Sequence, residues 1–175
     1  MIERTVTSRF VYTGQIVKLR IDIVEMANRR RATREVVEHA DCIAVVAVDE
    51  QGNILLVKQY RYAIGKELLE IPAGGIDTGE DAVAAVRREM GEETGFSPRT
   101  VKKMGGFYSS PGFCTEYMHL FLATDLEPKR LEAEDTEGIT VIRVKPEDIE
   151  GLISSGAICD AKSVAGLSLY LKQRR

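Results

Sequence analysis

Apolar residues fall in short, separated blocks for most of this chain. Cys42 to Val48 is nearly all apolar, as expected of a strand covered on both faces. The polar turn Asp49-Glu50-Gln51-Gly52-Asn53 follows, then the partner strand Ile54 to Gln59, so the pair reads as a hairpin. Leu68 to Ile71 is a short strand stopped by Pro72. The first 40 residues are thinner: Phe10-Val11-Tyr12, Ile16 to Val24 and Glu35 to His39 alternate only partly, with the polar, basic Ala27 to Arg34 expected as a hairpin loop. From Glu80 to Glu93 the period changes. Val83, Val86 and Met90 recur at spacings of three and four, which predicts a helix with one apolar face, ended by Gly95. Val101 to Tyr108, Glu116 to Thr124 and Gly138 to Lys145 read as further strands. Pro146-Glu147-Asp148 starts a helix running to about Ser155, and Asp160 to Lys172 is a final amphipathic helix with Arg174-Arg175 complementing its dipole. Strands mixed with few helices predict an α+β fold of the α/β/α sandwich type.

Two regions are expected. Residues 1–40 form a β-strand region too small to hold a core alone, which must pack on the rest or on another subunit. Residues 41–175 form the main domain, and 175 residues suit that plan without repeats, low-complexity tracts or linkers.

Composition narrows the function classes. A net charge of −3 argues against a dedicated nucleic-acid binder but permits a small phosphorylated ligand. Cys42, Cys114 and Cys159 are scattered and odd in number, which argues against disulfides or a zinc site. Met1-Ile2-Glu3-Arg4 lacks the apolar core of a signal peptide, and the longest fully apolar run, Ile43 to Val48, is far too short for the ~20 residues that a bilayer needs. A soluble cytoplasmic protein without membrane partners is the expectation. Arg29-Arg30-Arg31 reads as a solvated loop, and His39 and His119 as strand residues.

The chemistry concentrates in GGIDTGEDAVAAVRREMGEETGF, Gly74 to Phe96. Asp77, Glu80, Asp81, Glu89, Glu92 and Glu93 outnumber Arg87 and Arg88, a local sum of −4. Glu89 and Glu93 share a helix face, with Glu92 beside them, and like charges so placed destabilise an isolated helix by a few tenths of a kcal/mol per pair, as an order of magnitude. A cation among them resolves the conflict, and hard carboxylate oxygens select Mg²⁺ or Mn²⁺ over zinc. Arg88, four residues before Glu92, is placed to hold that carboxylate.

The same stretch resembles the Nudix hydrolase signature. Gly74, five residues, Glu80, seven residues, Arg88-Glu89, the apolar Met90, one residue, Glu92-Glu93, one residue, Gly95 and the apolar Phe96 fill every position of that pattern. The resemblance implies a Nudix fold with a mixed sheet, here carrying a small N-terminal antiparallel sheet. It implies a metal-binding loop–helix–loop in which Glu89 and Glu93 are the main ligands, Glu92 contributes and the Ala73 carbonyl adds a ligand. Glu92, Glu93 and Arg88 then serve catalysis.

Other segments resemble the ADP-ribose pyrophosphatase branch. They are Ser109-Ser110-Pro111-Gly112-Phe113, with Pro111 fifteen residues after Phe96; Arg34 to His39; Gln59-Tyr60-Arg61-Tyr62; Glu67 to Gly74; and Asp160 to Leu167. Carried over by position, Arg61 would contact the diphosphate or ribose, Glu35 would lie near the adenine with Ile16 packed against it, and Glu116 would hydrogen-bond a ribose. The acidic stretch Glu132 to Glu137 would close on the substrate and offer the general base. Glu137 is favoured and Asp135 is its rival, although the family often has glutamate where Asp135 stands. The implied reaction is Mg²⁺-dependent hydrolysis of ADP-ribose to AMP and ribose 5-phosphate by a homodimer whose N-terminal strands exchange between subunits. Alternatives are another nucleotide sugar such as GDP-mannose, a module that binds ADP-ribose without cutting it, and an RNA-end pyrophosphohydrolase, which would need a broader basic groove.

Overall fold

The computed structural model describes residues 3–133 and 138–174, which divide into two compact units. The smaller unit holds residues 1–41 and 108–117, the larger residues 42–107 and 118–175.

In the smaller unit, β1 (Arg4–Thr13), β2 (Lys18–Glu25) and β3 (Arg31–Glu38) form an antiparallel sheet in the order β1-β2-β3. The loop expected over Ala27 to Arg34 is shorter. Met26 and Arg30 close the turn (N–H to carbonyl, 2.9 Å), with Arg29 in the left-handed region, and the chain is already a strand at Arg31. In the β2–β3 register Arg31 stands opposite Glu25 and Arg34 opposite Asp22, while the Arg34 side chain pairs with Glu3 and Asp22 with Arg20. Little of this sheet is covered: Phe10, Tyr12 and Ile16 are all more than half exposed, Ile16 at 72%. The segment from Ser109 to Glu116 is tied to β3 through Val37, which donates to Phe113 and accepts from Thr115.

The larger unit is built on a mixed sheet. β4 (Cys42–Val48), β5 (Ile54–Arg61), β8 (Phe96–Tyr108), β9 (Tyr117–Pro128) and β10 (Thr140–Val144) lie in the order β10-β5-β4-β9-β8, with β6 (Lys66–Glu70) on β5 and β7 (Ala73–Gly75) on β4. β4 runs parallel to β9 and antiparallel to β5 and β7. The continuous apolar run of β4 serves two cores at once. Cys42, Ala44 and Val46 pack with Ile158, Leu167 and Tyr170 beside α2 (Ile149–Ser154) and α3 (Ala161–Arg174). Ile43, Val45 and Ala47 pack with Ala85, Val86 and Met90 of α1 (Ala82–Glu89) and the turn after it. The result is the predicted α/β/α layering. Gly166 lets α3 approach closely, since a Cβ there would lie 3.0 Å from Ile71 and Leu120. No helix among the described residues is long and apolar enough to cross a membrane.

The helix expected from Glu80 to Glu93 starts at Ala82, where Asp81 accepts the N–H groups of Val83 (2.8 Å) and Ala84 (3.3 Å) as its cap. It changes pitch at Met90 into a π-helical turn, Met90–Thr94, closed by Gly95 in the left-handed region.

Candidate active site

The segment joining β6 to β7 holds the site in register. Glu70 pairs with Val57, the Ile71 N–H donates to Ser163 Oγ at 2.8 Å, the Pro72 carbonyl accepts from Val45, and the Ala73 N–H donates to Glu93 Oε2 at 3.0 Å. Pro72 brings no N–H of its own, so each backbone donor from Ile71 to Ala73 is satisfied. The turn that follows α1 is thereby fastened to β7 through Glu93, which is only 6% exposed.

Glu89 reaches the same strand by a different route. A Cβ at Gly74 would overlap the Glu89 carboxyl group, so a side chain there would displace that carboxylate from its place beside β7. Across the pitch change, then, Glu89 and Glu93 still converge on Ala73 and Gly74.

Arg88 ties the acids together. Its guanidinium donates to both oxygens of Glu80 (3.0 and 2.9 Å), to Glu89 (2.7 Å), to Glu92 (3.3 Å) and to the Gly75 carbonyl (2.8 Å). The expected Arg88–Glu92 contact is present, but the fork on Glu80 is tighter and is the main cause of a guanidinium pKa raised above its ordinary value. Glu80 is correspondingly held below the usual carboxylate range by Arg88. Glu89 and Glu93 move the other way. Burial raises both, and Glu93 is pushed up to about 7, with the Glu89 charge adding to the effect and the Ala73 N–H, Arg61 and Lys162 opposing it.

Arg88 thus serves three glutamates, Glu80, Glu89 and Glu92, while burial makes Glu89 and Glu93, the two nearest β7, resist ionisation in the protein alone. An all-oxygen donor set in which carboxylates outnumber the cations beside them is what a hard divalent cation would complete, so the residues present fit such an ion.

Arg61 lies at the end of β5, where its Nε and Nη2 form a fork on Glu70 (3.0, 3.2 and 2.6 Å). Glu70 is 1% exposed and also accepts Lys162 Nζ at 2.5 Å. Burial pushes its pKa up, but Arg61 and Lys162 outweigh that and hold it below the usual range. Neither Glu70 nor Lys162 was singled out for a role from the sequence. Both sit in segments that resemble the ADP-ribose branch, which was the available signal.

Three other expected substrate residues belong to the smaller unit. Ile16 lies in the β1–β2 turn, Glu35 is exposed on β3, and Glu116 is half-buried with Oε1 3.7 Å from His39 Nδ1. Glu137 and Asp135 lie outside the described residues.

Residues 38–166 match the NUDIX domain. The chain is 37% identical over 175 residues to the ADP-ribose pyrophosphatase of Bacillus subtilis (strain 168), covering 98% of this chain and 94% of that one. It is 34% identical to the Methanol dehydrogenase activator of Bacillus methanolicus, covering 97% and 92%. A solved structure described as an ADP compounds hydrolase superimposes with a TM-score of 0.90 at 21% identity, covering 99% of this chain and 96% of that one, a likeness of fold. The chain belongs to the Nudix family of pyrophosphohydrolases, whose members generally use a divalent metal.

Proposed function

We propose that this protein hydrolyses the diphosphate bond of ADP-ribose, releasing AMP and ribose 5-phosphate, with Mg²⁺ held by Glu89, Glu92, Glu93 and the Ala73 carbonyl. The observation that carries this reading is the convergence of Glu89 and Glu93 on Ala73 and Gly74, with Glu93 buried yet short of positive charge. The extent of the likeness to an ADP-ribose pyrophosphatase supports the choice of substrate.

Bound Mg²⁺ would supply charge neutralisation for the diphosphate and a lowered pKa for the attacking water. The protein's residues do the rest. Arg88 holds Glu80, Glu89 and Glu92 in fixed positions, so that little reorganisation is needed on binding. Arg61 offers a cation to the diphosphate or ribose. Ile16, Glu35 and Glu116 are proposed for the adenine and ribose, and Glu137 or Asp135 for removing the proton from water. The exposed apolar residues of β1 and the following turn support a homodimer that covers them. We place the protein in the cytoplasm.

The test is a product assay across ADP-ribose, GDP-mannose, dinucleoside polyphosphates and NADH, with and without Mg²⁺. AMP released from ADP-ribose in preference to the rest supports the reading. Preferred cleavage of GDP-mannose reassigns the substrate, and tight ADP-ribose binding without AMP release makes the protein a sensor.

A further inference from the structure

The stretch Asp160 to Ser163 at the start of α3 has no part in the reaction described above, yet it is built into the same framework. Ser163 is fully buried and takes the Ile71 N–H, so the first turn of α3 is fixed to the residue beside Glu70. Lys162 is 13% exposed in its side chain and spans Glu70 (2.5 Å) and Asp160 (2.8 Å). Asp160 also accepts the Ser163 N–H (3.1 Å), so its charge is shared with the amino end of the helix. Lys162 is enclosed by these two acids and is poorly placed to touch a ligand itself.

Its effect is on Arg61. Two of the three guanidinium nitrogens, Nε and Nη2, are committed to Glu70, and among the described residues Nη1 makes no hydrogen bond. The Arg61 side chain is 39% exposed, and Nη1 is the guanidinium nitrogen not committed to Glu70. Lys162 and Arg61 share Glu70, so the carboxylate that carries the Arg61 fork is itself held by a second cation, and with Asp160 the four charges balance.

We propose that Lys162 is a positioning residue for anionic substrate: by holding Glu70 it fixes the Arg61 fork, so that the guanidinium nitrogen not bound to Glu70 is held in place for the diphosphate. This rests on the pyrophosphohydrolase reading, but not on ADP-ribose in particular. The experiment therefore uses whichever nucleoside diphosphate derivative the wild type hydrolyses fastest with Mg²⁺. Lys162→Met and Lys162→Gln should each raise KM about tenfold while changing kcat less than about threefold. Arg61→Ala should raise KM as well, and adding Lys162→Met to it should raise KM no further, because the lysine acts through the arginine.

An unchanged KM in the Lys162 variants overturns the proposal, as does a fall in kcat alone. So does a KM increase of the same factor in the Arg61→Ala background. Circular dichroism showing both Lys162 variants unfolded makes the lysine scaffold only and also overturns it. A wild type that cleaves no such compound removes both this inference and the reading beneath it, whereas an active wild type with indifferent Lys162 variants removes this inference alone.

Discussion

Along α1 and the turn after it, Glu80, Glu89 and Glu92 share the Arg88 guanidinium, and Glu93 takes the Ala73 N–H; where β5, β6 and α3 meet, Glu70 and Asp160 are matched by Arg61 and Lys162. Glu93 in the first cluster and Glu70 in the second are both nearly hidden from solvent. Burial is the largest single influence on each, and it acts to raise both. Only Glu93 ends up raised, because Glu70 has two cations in direct contact, while Glu93 has one backbone N–H and a neighbouring carboxylate. Counter-charge, not depth, decides which buried acid stays ionised. The first cluster is the one proposed to take a divalent cation, and the second is balanced by its own side chains.

The largest expected effect follows from that imbalance. Glu93→Gln keeps an acceptor for the Ala73 N–H but removes a charge that the metal needs. Turnover with Mg²⁺ should fall about 1,000-fold, roughly 4 kcal/mol of transition-state stabilisation. The metal-free variant at pH 8 should nevertheless melt above metal-free wild type, because the uncompensated charge is gone. Near wild-type turnover, or a lower melting temperature, would break the contrast with Glu70.

The second test uses pH. The Glu93 pKa is raised from 4.5 to about 7 in the folded metal-free protein, so between those values the folded state binds more protons than the unfolded state. Stability of the metal-free protein should therefore fall as pH rises from about 4.5 to about 7, by roughly 3 kcal/mol for this group alone. Glu70 has the opposite sign: its contribution is full above its unfolded pKa and is lost as the pH drops through its lowered folded value. Denaturant melts in chelator across pH 5–8, repeated with excess Mg²⁺, should show the metal's stabilisation growing with pH. A metal effect of equal size at both ends of that range counts against the assignment.

Arg88→Ala comes next. It leaves Glu80, Glu89 and Glu92 without their shared donor, and activity should fall about 100-fold, the upper range for outer-shell support of a metal site. Arg88→Lys should recover part of this, since an ammonium cannot fork onto Glu80. Full recovery by lysine would mean that charge alone, rather than the fork, orders the cluster.

Much of this was legible in the sequence, and what was not has physical reasons. The β4–β5 hairpin and the box helix were readable because apolar periodicity reports burial directly. The pitch change at Met90 was not, because Gly91 packs on a distant strand exit: its carbonyl accepts from Leu131, and a Cβ there would lie 2.9 Å from the Leu131 side chain. β7 is three residues long with two glycines, and is a strand only because β4 pairs with it. Glu89 and Glu93 were singled out because the box fixes their spacing. Glu70 was passed over inside an apolar run, since its partner Lys162 is 92 residues away and opposite charges at that distance leave no local pattern.

The smallest expected effect separates scaffold from site. Ser163→Ala removes the acceptor of the buried Ile71 N–H, which should cost about 1–2 kcal/mol in chemical denaturation, the usual penalty for an orphaned buried donor. The carboxylate side is held by its own bond from Ala73 to Glu93, and the cation side by Lys162 on Glu70, neither of which needs the hydroxyl. Activity with Mg²⁺ at a temperature where the variant is folded should therefore fall no more than about threefold. A drop in kcat approaching that of Arg88→Ala would mean that α3 sets the position of β7 as well as of Glu70, and the two clusters would then be one mechanical unit rather than two.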